Sequence, residues 1–280
     1  MLAKAYIEIT NVCNRSCAFC PGTRRPPRFM TEAELAVILR RLQGHTKFLY
    51  FHLMGEPLGH PELERFLAMA GAAGYRVILT TNGTLLPQRR DILLNAPALH
   101  KVNVSLHSFE ANDGGQPEAY VSACGQFARD ASDRGILCCL RLWNLDGDLP
   151  GLNRGNQTIV EALHRVFPER WQENNRGWCL RPKVFLEWGE RFAWPDLEAG
   201  ELAQRGFCYG LRDQIGVLCD GTVVPCCLDH EGDIPLGNLL EQELEEILAG
   251  DRAQAIRRGF SQRKIAEQLC RRCGYARRFG

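Results

Sequence analysis

The chain predicts an α/β fold: a parallel sheet of six strand–helix units, then a smaller cysteine-rich region with a β-hairpin and helices. Three observations carry that expectation. Apolar, β-rich runs alternate with amphipathic stretches from residue 5 to about residue 190, the rhythm of βαβ units. Unusual polar groups recur just past the ends of those runs: a cysteine triplet, Gly55-Glu56-Pro57, Thr81-Asn82-Gly83 and His107-Ser108. Composition then shifts near residues 196–200, beyond which lie Cys208, Cys219, Cys226, Cys227, Cys270 and Cys273.

Each element has a local reason. Ala5-Tyr6-Ile7-Glu8-Ile9 is an apolar run that reads as a buried first strand. Thr31-Glu32-Ala33-Glu34 predicts a capping box opening a helix to about residue 43. The second strand covers 47–54, and a helix over 61–73 stops at Gly74. The third strand, 75–80, is followed by a helix around 88–94. The fourth covers 101–106, with a helix over 117–134 that Gly135 ends. Residues 136–143 give a fifth strand, 156–167 a helix and 183–188 a sixth strand running into Gly189-Glu190. Beyond these, 214–218 and 222–224 flank Cys219-Asp220-Gly221 and predict a hairpin with an Asp-Gly turn. Helices are expected over 242–248 and 251–259.

At 280 residues the chain holds one large domain or a domain of about 200 residues with an appendage, divided here into 1–198 and 199–280. A formal net charge of +1 gives no electrostatic case for nucleic acid. Residues 1–10 lack the regions of a signal peptide, and no 18-residue apolar run spans a membrane. Thirteen cysteines without a secretion signal favour metal binding over a disulfide scaffold, in a reducing cytoplasm.

Cys13-Asn14-Arg15-Ser16-Cys17-Ala18-Phe19-Cys20 sets three thiols at spacings of four and three in one loop. They can face a common centre. Three thiolates leave one iron of a [4Fe–4S] cluster open, whereas a closed zinc site, or a plain electron-transfer site, would need a fourth ligand from elsewhere. The stretch resembles the CxxxCxΦC signature of the radical S-adenosylmethionine (SAM) superfamily, Phe19 included. That resemblance implies a partial (β/α)6, TIM-like barrel, with chemistry at the C-terminal ends of its strands. It also implies that Cys13, Cys17 and Cys20 hold a SAM-binding [4Fe–4S] cluster.

Further assignments follow from the resemblance. Gly55 and Glu56 match the GGE-type segment that binds the SAM ammonium, Met54 replacing its first glycine; read alone, Gly55-Glu56-Pro57 is a turn. Asn82 matches the segment lining the SAM pocket, and read alone it too belongs to a turn. Ser105 and His107 alternate and, if the strand continues, share a face that can point into the barrel, Ser105 as a SAM-binding residue at the ribose and His107 equally as a catalytic residue touching substrate or a core histidine. Arg141, in an otherwise apolar strand, needs an anion: the SAM carboxylate, or Asp146 or Glu187. Asn144 is a ribose ligand or a loop cap.

Cys208, Cys226 eighteen residues on and Cys270-Arg271-Arg272-Cys273, with Leu236-Gly237-Asn238-Leu239, resemble the Twitch form of the SPASM domain. A second, fully ligated [4Fe–4S] cluster on Cys208, Cys226, Cys270 and Cys273 is implied. Cys227 can stand in for Cys226, and a four-cysteine zinc ribbon uses the same sulfurs. Cys124, Cys138, Cys139, Cys179, Cys219 and Cys227 read as small buried residues. The basic tail (Arg263, Lys264, Arg271, Arg272, Arg277, Arg278) reads as a solvated face or a docking surface.

By that resemblance the protein cleaves SAM reductively to a 5′-deoxyadenosyl radical, with an electron from a flavodoxin- or ferredoxin-type donor, and abstracts a substrate hydrogen. The second cluster then takes an electron, for a net two-electron oxidation or a modification of a peptide or small molecule. No leader-binding segment precedes the first strand, so a peptide substrate would call for a separate partner. The reading from another class is a non-catalytic iron–sulfur or zinc protein serving electron transfer or as a scaffold.

Overall fold

A computed structural model describes residues 1–111, 117–145 and 154–279. Strands and helices alternate as β1 (Lys4–Ile7), α1 (Glu32–Arg41), β2 (Phe48–Phe51), α2 (Leu63–Ala72), β3 (Arg76–Thr81) and α3 (Leu86–Leu94). They continue as β4 (Leu99–Ser105), α4 (Pro117–Asp133), β5 (Leu137–Leu145), α5 (Arg154–Val166), β6 (Gln172–Asn174), β7 (Gly177–Arg181) and β8 (Val184–Glu190). The C-terminal part adds β9 (Gln214–Val217), β10 (Thr222–Val224), β11 (Gly237–Asn238), α6 (Leu244–Ala249), α7 (Asp251–Ser261) and α8 (Gln268–Arg271).

All eleven strands form one sheet, in the order β11-β10-β9-β1-β2-β3-β4-β5-β8-β7-β6. The run from β9 through β1 to β5 and β8 is parallel throughout, as expected for a partial barrel of βα units. Local signals act as anticipated. Thr31 and Glu34 close a capping box on α1, and Gly74 and Gly135 end their helices at φ +82° and +84°.

Two features were not expected. β6, exposed along its length, and β7 form a hairpin against β8. β9 pairs in parallel with β1, so the sheet runs unbroken across the boundary drawn at residue 198.

Period-two alternation sorts the side chains. Ala5, Ile7, Leu49, Phe51, Val77, Leu79, Val102, Val104, Leu140 and Leu186 belong to the core under the helices. Their neighbours Lys4, Tyr6, Tyr50, His52, Thr80, Lys101, Asn103, Ser105, Arg141 and Glu187 face the opposite side and line a cavity of about 1250 Å³. A barrel lumen packed with branched apolar residues would be solid. This one is open, with polar and charged side chains set among aromatic ones.

Candidate functional site

The loop after β1 is closed at its neck before it reaches the cysteines. Thr10 bridges Phe29, its hydroxyl donates to the Arg28 carbonyl at 2.9 Å, and the Asn11 amide accepts the Arg28 N–H at 2.7 Å. The Glu56 N–H donates to the Val12 carbonyl at 2.8 Å. Gly55 packs so tightly there, at φ +74°, that a Cβ would lie 2.4 Å from the Thr10 carbonyl oxygen. Glycine is therefore required on contact grounds as well as conformational ones.

Glu8, at the end of β1, was not singled out in the sequence. Its carboxylate is fully buried and takes a two-pronged contact from Arg25 at 2.6 and 2.8 Å. It also accepts the backbone N–H of Met54 at 3.3 Å and of Cys219 at 3.0 Å. Arg25 in turn donates to the His230 carbonyl. One ion pair thus ties the cysteine loop to β2's end and to the C-terminal region.

Glu56 is buried and accepts from the Thr81 hydroxyl at 2.7 Å, the Asn82 N–H at 2.7 Å and the Leu58 N–H at 3.0 Å. Burial pushes its carboxyl above the usual carboxylate range despite those donors. The Asn82 amide donates to Asn14 at 2.8 Å and faces the Cys13 sulfur at 3.9 Å. Its carbonyl accepts the Tyr120 hydroxyl at 2.6 Å. The ends of β2 and β3 therefore grip the cysteine loop.

β4 ends at Ser105 and continues as a 3-10 turn, Leu106–Ala111, rather than as strand. His107 still reaches the cavity: its Nδ1 lies 3.1 Å from the Arg141 carbonyl and 3.3 Å from the Trp143 N–H. Its ring packs 4.9 Å from that of Phe19. Burial holds His107 down at about 4, so it is neutral at pH 7. Arg141 lies over the Trp143 ring at 4.7 Å and 3.8 Å from Glu187, with its buried Nε lacking a hydrogen bond. Asp146, its other expected partner, lies outside the described residues. Asn144 is placed elsewhere: it is buried, exchanges amide hydrogen bonds with Asn156 at 2.8 and 3.0 Å, and does not line the cavity.

The Gly210 N–H donates to the Cys208 sulfur at 3.5 Å, a contact of the kind that supports a ligating thiolate. All thirteen cysteines are free thiols, and Cys13, Cys17, Cys20, Cys208, Cys226, Cys270 and Cys273 line the one cavity. Three thiols of one loop and four of the C-terminal region are the donor sets that an open and a fully ligated [4Fe–4S] cluster would take.

The remaining cysteines divide. Cys124, Cys138, Cys139 and Cys219 are buried, while Cys179 and Cys227 are half-buried and Cys227 lines the cavity. The basic tail is not a simple solvated face. Arg271 and Arg272 approach Glu201, and Arg278 lies 4.8 Å from the Tyr275 ring, both at the cavity.

Lys4, Tyr6, Tyr50, His52, Lys101 and Asn103 were missed as lining residues. Burial, with Arg141 and Lys4 nearby, pushes His52 down to about 4. Burial also lowers Lys4 from its ordinary value. Only the alternation within closed strands signals these positions.

The comparisons agree with this geometry. The Radical SAM superfamily model matches residues 7–136, and the iron-sulfur cluster-binding domain model, SPASM, matches residues 208–274. A GTP 3′,8-cyclase of Microcystis aeruginosa is 25% identical over 84% of this chain and 84% of its own. An S-adenosyl-L-methionine-dependent 2-deoxy-scyllo-inosamine dehydrogenase of Niallia circulans is 23% identical over 95% of this chain and 90% of its own. The crystal structure of BtrN in complex with AdoMet and 2-DOIA shares the fold, with a TM-score of 0.61 at 19% identity over 98% of this chain and 93% of that one. No helix among the described residues is long and apolar enough to cross a membrane. The chain belongs to the radical SAM superfamily and carries a SPASM domain, and its cofactors are SAM, the [4Fe–4S] cluster that binds it and an auxiliary [4Fe–4S] cluster.

Proposed function

We propose that this radical SAM enzyme couples hydrogen abstraction from a small-molecule or peptide substrate to electron transfer into the auxiliary cluster, for a net two-electron oxidation or modification. The observation that carries the reading is the shared cavity, into which both cysteine sets open. A substrate there lies between two redox groups. The similar dehydrogenase supports an oxidation.

In this reading Cys13, Cys17 and Cys20 hold the first cluster, and Cys208, Cys226, Cys270 and Cys273 the second, with Cys227, which also lines the cavity, as the alternative to Cys226. With SAM bound and one electron from a flavodoxin- or ferredoxin-type donor, the first cluster supplies a 5′-deoxyadenosyl radical. The chain's residues bind and orient. A carboxylate has about four lone pairs, so Glu56, with three donors, keeps one for the SAM ammonium. Arg141, which lines the cavity with Glu187 beside its Nε, offers its guanidinium charge to the SAM carboxylate. Asn82 and Ser105 present polar atoms beside them. Neutral His107 braces Phe19 and the β5 backbone, and its second ring nitrogen, unbonded among the described residues, is left to hydrogen-bond the substrate.

Anaerobic reconstitution tests the reading. It expects about eight irons per chain and 5′-deoxyadenosine on incubation with SAM and dithionite. Replacing Cys13, Cys17 and Cys20 together should leave about four irons and abolish cleavage. Zinc alone, or intact cleavage in the triple variant, overturns it.

A further inference from the structure

The barrel lumen carries charge that the SAM reading does not use. The register sets its levels: Ser105, Arg141 and Glu187 lie in one row, beside the cysteine loop. Below it, one row holds Thr80 and Asn103, and a lower one Tyr6, Tyr50, Ile78 and Lys101. Lys4 lies two residues further down β1 from Tyr6.

Seven basic side chains line the cavity among the described residues (Lys4, Arg15, Lys101, Arg141, Arg176, Arg191, Arg278), against three carboxylates. Each carboxylate is already engaged. Glu56 serves three donors, Asp213 is held by both prongs of Arg212 at 2.7 and 2.9 Å, and Glu187 lies beside Arg141. Among the described residues neither Lys4 nor Lys101 has a carboxylate within 4.0 Å; Asp213, already paired with Arg212, is the carboxylate whose charge reaches Lys4. The Lys4 ammonium lies over the Tyr6 and Tyr50 rings, 5.2 Å from each centroid. A half-buried ammonium without a salt-bridged partner is costly to maintain. Nearby, Asn103 Oδ1 is buried with no hydrogen-bond donor.

We propose that the lower lumen binds the anionic group, a carboxylate or a phosphate, of a small polar substrate, with Lys4 and Lys101 as its counter-ions and Asn103 Oδ1 accepting a substrate hydroxyl or amine proton. This site rests on the SAM reading only for what occupies the upper row. An anion placed low would hold the rest of the substrate up toward the cysteine loop. The two lysines approach it from β1 and β4, and the Tyr6 and Tyr50 faces wall it.

Calorimetric titration of the reconstituted enzyme with SAM, without reductant, tests the site. The probes are inorganic phosphate, malonate and, as the neutral control, glycerol. Saturable binding of phosphate or of malonate is expected, and which of the two binds tighter identifies the group. Lys4→Gln and Lys101→Gln should each weaken that binding at least tenfold, while Lys47→Gln, at an exposed lysine outside the cavity, should not. Melting curves identify a variant that has not folded, and the wild-type contrast between anions and glycerol stands without any variant. Glycerol binding as well as the anions, no saturable anion binding, or full affinity in both folded lysine variants overturns the proposal. Because no SAM is cleaved in this titration, its failure is separate from a failure to form 5′-deoxyadenosine.

Discussion

Three donors converge on the Glu56 carboxylate, so Glu56→Gln would set an amide NH₂ against at least one of them. Loss of the charge-assisted contact to the SAM ammonium should weaken SAM binding tenfold to a hundredfold, about 1.5–3 kcal/mol. The donor–donor clash should also cost about 1–3 kcal/mol of stability. Unchanged SAM affinity by titration calorimetry would remove Glu56 from the binding role and leave it a clamp between β2 and β3. His52 makes a separate prediction. Its folded pKa of about 4 lies below the unfolded value of 6.5, so the unfolded chain binds more protons between those values. Its neutral form therefore contributes stability that is present above pH 6.5 and lost as pH falls toward 4. Between pH 7 and 5 that loss is at most about 2 kcal/mol, less where the lumen is wet. Denaturation at the two pH values should show a smaller difference in His52→Gln than in wild type.

Helices and strands were legible where their signals are local. The Thr31 capping box, the glycine stops and the alternating strands need only neighbouring residues, and the cysteine triplet lies within eight. What the chain hides is pairing at a distance. Asn144 bonds Asn156 twelve residues on, a link no turn pattern announces. Glu8 looked like a lone acid within a strand, and only the return of residues 25 and 219 to its side reveals a joint. That joint predicts an asymmetry. Arg25→Ala leaves a buried, unpaired carboxylate and should cost about 3–5 kcal/mol. Arg24→Ala, at an exposed arginine 4.0 Å from Glu231, should cost less than about 1 kcal/mol. Chemical denaturation of the anaerobic holoenzymes separates the two; equal losses would mean that the Glu8 joint adds nothing beyond a surface pair.

At the scale of the molecule, the pairing of β9 with β1 puts the C-terminal cysteines at the same cavity as the N-terminal ones. The register, rather than chain order, is the cause of that placement. β9 and β10 carry the chain to Cys226, and the aromatic tail returns past Tyr275 and Phe279, whose rings pack 5.6 Å apart. Both tail residues line the cavity beside Cys208 and Cys273. Because four thiolates leave the second cluster without an open iron, its proposed task is to take an electron rather than to bind substrate. The Cys270→Ala/Cys273→Ala variant separates that task from the first half-reaction. With Cys13, Cys17 and Cys20 intact, the variant should hold about four irons and still form 5′-deoxyadenosine, while substrate oxidation stalls. The ratio of oxidised substrate to 5′-deoxyadenosine should then fall at least tenfold from its wild-type value. If the ratio stays at the wild-type value, electron transfer does not pass through the second cluster, and the C-terminal region serves instead as a wall of the cavity.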